Sequence, residues 1–176
     1  DPFGIAVSDD GTIALVSGAP PGFEAVPAEL VVFDAANGEE RWRVTTEMEF
    51  NIGGPVISDV GVSVFVTGFE GATIETYASG SLVGEPVAAD RCSQTLNGAV
   101  DGSAGVFYSV IPSGICSIDL LAGTETEVAA ADLLPGALRV DSVFFDGDSL
   151  VAVVGDENLN RISIAIDPST LAPQGE

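Results

Sequence analysis

The side chains able to do chemistry in this chain are unevenly chosen: 27 carboxylates, five arginines, two cysteines, no lysine and no histidine. Without imidazole, a His-based catalytic triad and a His-ligated zinc or copper centre are excluded for this chain. Carboxylates fall close together at Asp9-Asp10, Glu39-Glu40, Asp146 with Asp148, and Asp156-Glu157. Paired acids can serve general acid–base chemistry. Acids set among Gly, Asn and Ser are turn formers first, so no catalytic residue is assigned. "DGDS" (146–149) and "GDENLN" (155–160) offer Asp146, Asp148 and Asp156 as oxygen ligands. Calcium is the hard cation they would suit, although neither run has the twelve-residue spacing of a calcium loop. No other cofactor is expected. Gly53-Gly54-Pro55 reads as a turn before a strand, not as a strand-to-helix phosphate cradle.

The formal charge of −22 excludes nucleic acid as a partner, because phosphate recognition needs clustered Lys and Arg. It also opposes attraction to anionic membrane surfaces. With 46% hydrophobic residues and scattered acids, the chain is not a disordered polyanion. The acidity reads as a solvated, self-repelling surface. A halophilic or calcium-rich setting is the alternative. No apolar run approaches the roughly 18 residues of a membrane-spanning helix, and no secretory h-region opens the chain at Asp1.

The elements that must position these groups are strands. Short runs of Val, Ile, Phe and Thr alternate with Gly, Asp, Asn, Ser and Pro, and helical periodicity is almost absent; even "VAAADLL" (128–134) reads as a strand end and loop. Turns recur in "SDDGTIALV", "SDVGVSVFV", "VDGSAGVFY" and "FDGDSLVAV", with glycines at Gly11, Gly61, Gly102 and Gly147. A second series, "VVFD", "ETYA", "CSID" and "IAID", closes a later strand in each unit and keeps step with the first. The unit is about 45 residues holding four strands, which is the period of a β-propeller blade. Strands covered on both sides by neighbouring blades should be continuously apolar, as "TIALV", "VSVFV" and "SLVAVV" are.

The expected fold is therefore all-β: a propeller of four-stranded antiparallel blades, with units near 1–49, 50–91, 92–135 and 136–176. Strands are expected near 4–8, 12–17, 29–34 and 41–46; 54–58, 62–67, 72–78 and 82–88; 97–101, 104–110, 114–120 and 125–130; then 141–145, 149–154 and 161–167. The fourth unit ends at "DPSTLAPQGE", where an outer strand should begin. The expectation is a part of a larger propeller, with a self-contained four-bladed ring as the alternative.

"LVVFDAANGEERWRV" (30–44) resembles the repeat of the PQQ-like (quinoprotein-type) β-propeller superfamily, in which a strand ends in Asp, a Gly-Glu turn follows and Trp begins the next strand. "DPFGIAVSDDGTIALVSG" is similar to the surface-layer and lactonase-type (YVTN-type) propeller repeat. The resemblance implies that Trp42 docks between blades. Quinone-dependent enzymes of the superfamily use adjacent cysteines and a calcium held by Glu, Asn and Asp. This sequence has no Cys-Cys pair and no position matching those ligands. The strong motif occurs once, with the chain's single Trp. The superfamily also supplies envelope scaffolds and interaction platforms, and fold alone does not choose among these roles.

In a propeller, loops entering each blade share one face with loops joining its second and third strands. Here that face gathers Phe23, Glu49, Arg91, Asn97, Arg139, Asp156, Asn158 and Arg161, and so three of the five arginines. They either form salt bridges between blades or face solvent and meet an anionic small molecule or a carboxylate-bearing protein. The Pro-rich loop 17–29, with Phe23 and Val26, is a partner-contact candidate or an ordinary surface loop. Cys92 and Cys116 lie at the same face and form either a disulfide, implying an oxidising compartment, or two buried thiols.

Two functions follow. One is a secreted or cell-envelope module that binds or scaffolds without catalysis, its partner a protein, an anionic ligand or further blades of a parent chain. The other is part of a PQQ-like or lactonase-type enzyme whose catalytic residues lie outside this chain. A surface-layer element that self-associates with divalent cations is a third reading.

Overall fold

The computed structural model describes residues 2–8, 10–17, 28–46, 49–50, 55–68, 71–89, 92, 98–158 and 160–174. The fold is all-β, with four small antiparallel sheets forming the blades of a β-propeller. The first sheet runs β1 (Pro2–Val7), β2 (Thr12–Ser17), β3 (Ala28–Asp34), β4 (Glu40–Thr46), each strand beside its sequence neighbour. The second holds β5 (Glu49–Phe50), β6 (Val56–Ser58), β7 (Gly61–Gly68), β8 (Gly71–Ala78), β9 (Ser81–Leu82) and β10 (Val87–Ala88). Its outer edge, expected as one strand at 82–88, is two short pieces. Pro86 has no N–H to give the ladder, and Gly84 (φ 72°) turns the chain between the pieces.

The third sheet is β11 (Gly98–Asp101), β12 (Val106–Ile111), β13 (Gly114–Asp119) and β14 (Glu125–Ala129). The fourth is β15 (Arg139–Asp146), β16 (Ser149–Gly155) and β17 (Arg161–Ile166), with a single further bridge between Ile166 and Pro173. Where "VAAADLL" reads as strand and loop, the chain makes a one-turn helix, α1 (Ala130–Leu133), whose Ala130 and Leu133 are buried. Tertiary burial of those two side chains outweighs the weak local signal. Among the described residues no helix is long and apolar enough to cross a membrane.

The recurring Asp-Gly turns do require left-handed backbone. Gly11 sits at φ 81° and Gly147 at φ 59°, but in the third blade the left-handed residue is Gly105 (φ 66°), at the end of a longer turn that begins at Gly102.

Two compact units divide the chain. One comprises Asp1–Asp90 with the turns Gly102–Gly105 and Leu120–Gly123; the other comprises Arg91–Asp101, Val106–Asp119 and Thr124–Glu176. In the first unit Ala14, Val16, Leu30 and Val32 of the first sheet pack on Val62, Val64 and Tyr77 of the second. Trp42 lies against this inter-sheet core, as its resemblance-based role requires. Within that unit the Ser63 and Thr76 hydroxyls bond each other at 2.8 Å, and Thr76 Oγ1 also donates to the Leu120 carbonyl. In the second unit Tyr108 and Ile115 pack on Val140, Val143, Leu150, Ala152 and Val154, with α1 sealing one end. The Tyr108 ring meets Phe145 edge-on, and its hydroxyl donates to the Pro168 carbonyl.

Burial along two of the apolar strands differs from the expectation. β13 is buried on both faces, with five successive buried residues. β2 alternates strictly between buried and half-buried positions, and β16 does so along most of its length, although both are apolar on both faces.

Candidate functional site

In the fourth sheet, Arg139 lies opposite Gly155, and Gly155 lies opposite Arg161, so one row crosses all three strands. The ladder slips between Val140 and Ser142, leaving Asp141 as the extra, bulged residue of β15. A bulge re-aims its side chain, and here Asp141 reaches both arginines. Its Oδ1 accepts from Arg139 Nε and its Oδ2 from Arg161 Nε, each at 2.7 Å. Glycine lies between the two arginines, and a Cβ there would come within 3.2 Å of the Arg139 guanidinium, which would have to give by a few tenths of an ångström. The Asp141 side chain is 18% exposed, against 40% for Arg139 and 68% for Arg161. Arg139 first and then Arg161 hold the Asp141 carboxyl below its ordinary range, against partial desolvation.

These two arginines therefore pair within one blade, on a shared carboxylate, rather than between blades. Each guanidinium has five N–H donors and uses its Nε here. The cluster carries a net charge of about +1 at neutral pH. The hairpin beside it, between β16 and β17, is organised by Asp156. Its carboxylate accepts from the Asn158 and Asn160 backbone N–H groups and from Asn160 Nδ2, and these bonds lower its pKa. Asp156 is thus a turn organiser beside the arginines, and Asn158 sits exposed at the turn.

Cys92 and Cys116 are joined by a disulfide, with Cα atoms 5.4 Å apart and both residues fully buried. The Cys92 N–H donates to Glu125 at 3.2 Å, and its carbonyl accepts from Ser109 Oγ at 3.0 Å. Among the described residues, Cys92, Cys116 and Glu125 are the one group with metal-ligating atoms close together, but the sulfurs are bonded to each other. The calcium candidates do not converge. Asp146 and Asp148 flank the turn before β16, while Asp156 follows it, separated by a seven-residue strand of roughly 23 Å. Phe23, Arg91 and Asn97 lie outside the described residues, as does the side chain of Glu49. Sequence reading missed Asp141, which carries no motif; only the bulge brings it to both arginines.

Buried Tyr108 is perturbed as well. Desolvation, and then the charges of Asp101 and Asp167, push its pKa up to about 12.

No family model and no curated protein matches the chain. Solved structures do. The chain is similar to one in a crystal structure of the mitotic checkpoint complex, with 16% identity and a TM-score of 0.54 over 98% of this chain and 48% of that one. It is equally similar to a puromycin-hydrolyzing peptidase from Mycobacterium tuberculosis, at 16% identity and a TM-score of 0.54 over 97% of this chain and 28% of that one. BamB from Moraxella catarrhalis matches at 18% identity and 0.49, over 95% and 54%. The chain thus spans about half or less of each of these structures. At such identities the likeness is one of fold, and it is shared by proteins of different activity.

Proposed function

We propose that this chain is an extracytoplasmic β-propeller module that binds or scaffolds without catalysis, engaging a carboxylate-bearing partner through its loop face. The observation that carries this reading is the Arg139–Asp141–Arg161 cluster. On a chain of net charge −22, two of five cations are held side by side by one half-buried acid at a blade end. Guanidinium forks suit planar carboxylates, and preorganisation by Asp141 reduces the entropy lost on binding. The buried disulfide supports an oxidising compartment. The PQQ-like and YVTN-type resemblance fits the blade architecture, while the quinone-site residues of that superfamily have no counterpart in the sequence.

The test is a fluorescence-anisotropy titration with a short labelled peptide, compared in its free-acid and C-terminal amide forms. The free acid should bind and weaken with added salt. Replacing Arg139→Gln and Arg161→Gln together should weaken it about tenfold or more. Equal binding of acid and amide, or binding untouched by the double substitution, overturns the reading. Turnover of quinone-linked alcohols or of lactones would favour the catalytic alternative instead.

A further inference from the structure

Three side chains of the second unit that share no motif converge at the third blade. Cys116 on β13 lies opposite Glu127, and Ile118 lies opposite Glu125, so Cys116 and Glu125 are diagonal neighbours on one face of the β13–β14 pair. Cys92, 24 positions before Cys116, meets that face through its sulfur. The two sulfurs and a Glu125 carboxylate oxygen all lie within 4.8 Å of one another. Both cysteines are fully buried and Glu125 is half-buried, so the carboxylate links the sulfurs to solvent. Further bonds hold the parts in place. The Cys92 N–H donates to Glu125 Oε1 at 3.2 Å, and the buried Ser109 hydroxyl donates to the Cys92 carbonyl at 3.0 Å.

A neutral S–S bridge gives an adjacent carboxylate no charge to meet. With the bridge open, the same side chains are two thiolates and a carboxylate. That is a donor set for a tetrahedral zinc ion with one position left for water. Zn–S bonds of about 2.3 Å would set the sulfurs about 3.8 Å apart. With the Cα atoms 5.4 Å apart, that spacing is within reach of side-chain rotation.

We propose that Cys92, Cys116 and Glu125 form a site for a thiophilic divalent cation, zinc above all, which is open when the bridge is reduced and closed when it forms. A dithiol reductant supplies two electrons and two protons; the S–S bond breaks to two thiols and the reductant becomes a cyclic disulfide. The cation displaces both thiol protons and takes the two sulfurs and the Glu125 carboxylate as ligands. In reverse, a disulfide oxidant takes two electrons from the thiolates, the S–S bond forms and the cation leaves. Calcium should not compete, since it takes oxygen ligands. The site is independent of the loop-face reading and operates wherever thiols are kept reduced.

Cobalt(II) titration of the full chain tests this, because cobalt stands in for zinc and absorbs strongly when thiolate-bound. The chain is reduced with a dithiol, freed of reductant without air, and its fold checked by far-UV circular dichroism. Reduced chain should give thiolate-to-cobalt charge-transfer bands that saturate at a single equivalent and vanish when zinc is added. Oxidised chain should give none, since its other carboxylates bind cobalt without such a band. Glu125→Gln, which keeps both thiols, should weaken cobalt binding about tenfold or more. Zinc should also raise the urea midpoint of the reduced chain and leave that of the oxidised chain unchanged. If reduction alone unfolds the chain, zinc should restore the β-sheet signal. A reduced chain without charge-transfer bands, a midpoint or sheet signal that zinc leaves untouched, or Glu125→Gln binding cobalt as the wild type does, each overturns the proposal.

Discussion

Asp141 shows how little a side chain's type says about its part in a fold. Arg139 stands two residues before it in sequence, but a one-residue bulge is what brings Arg161, twenty positions on, to the same carboxylate. Its carboxyl titrates below the ordinary value because the ionised form is paired. The sign follows: a depressed folded pKa adds stability above the unfolded value of about 4, and loses it as pH falls through the folded value. Asp34, Asp156 and Asp167 behave alike through Arg41, Asn160 and Ser169 respectively. Replacing Asp141→Asn should therefore lower Tm slightly at pH 7 and flatten the loss of Tm below about pH 4, as read by thermal melts across pH. An acid limb identical to wild type would show that Asp141 is not ion-paired in solution.

At the scale of the element, the third blade is tied to the residue that precedes it. Cys92 enters it through three attachments: the disulfide to Cys116 on β13, the N–H bond to Glu125 and the Ser109 bond to its carbonyl. The bridge closes a segment of 24 positions, and constraining that loop in the unfolded chain stabilises the fold by about 3 kcal/mol. Replacing Cys92→Ser together with Cys116→Ser should lower the unfolding free energy by that amount, read as a lower urea midpoint at unchanged slope, provided the blade keeps its packing. A midpoint within error of wild type would mean that the bridge adds nothing to the blade. The four repeat units and most strand limits were legible because they follow from local alternation and turn chemistry, while the Trp42 contact was implied by the propeller resemblance. The split outer edge of the second blade and the one-turn α1 were not. Both depend on what the neighbouring backbone leaves unpaired or buries.

For the whole molecule, charge outweighs every other electrostatic feature. Twenty-seven acids against five arginines repel one another in the compact state far more than in the expanded one. Screening contracts from about 30 Å at 0.01 M salt to about 10 Å at 0.1 M. Added sodium chloride should thus raise Tm over that range, as read by thermal melts. A Tm that fell with salt would mean that the paired arginines outweigh the general repulsion. The same acidity, read from composition alone, is what set nucleic acid aside as a partner.

By itself the sequence determined the all-β class, the blade period, the charge and the absence of histidine chemistry. Each is a property of composition or of neighbours within a few residues. Tertiary structure decided the rest: that Cys92 and Cys116 bond, and that Asp141 meets Arg161 across the sheet as well as its near neighbour Arg139. It also decided that two apolar strand faces stay partly open. Those outcomes turn on groups distant in sequence meeting across a sheet, and on which faces find a neighbour, and residue order carries no direct record of either.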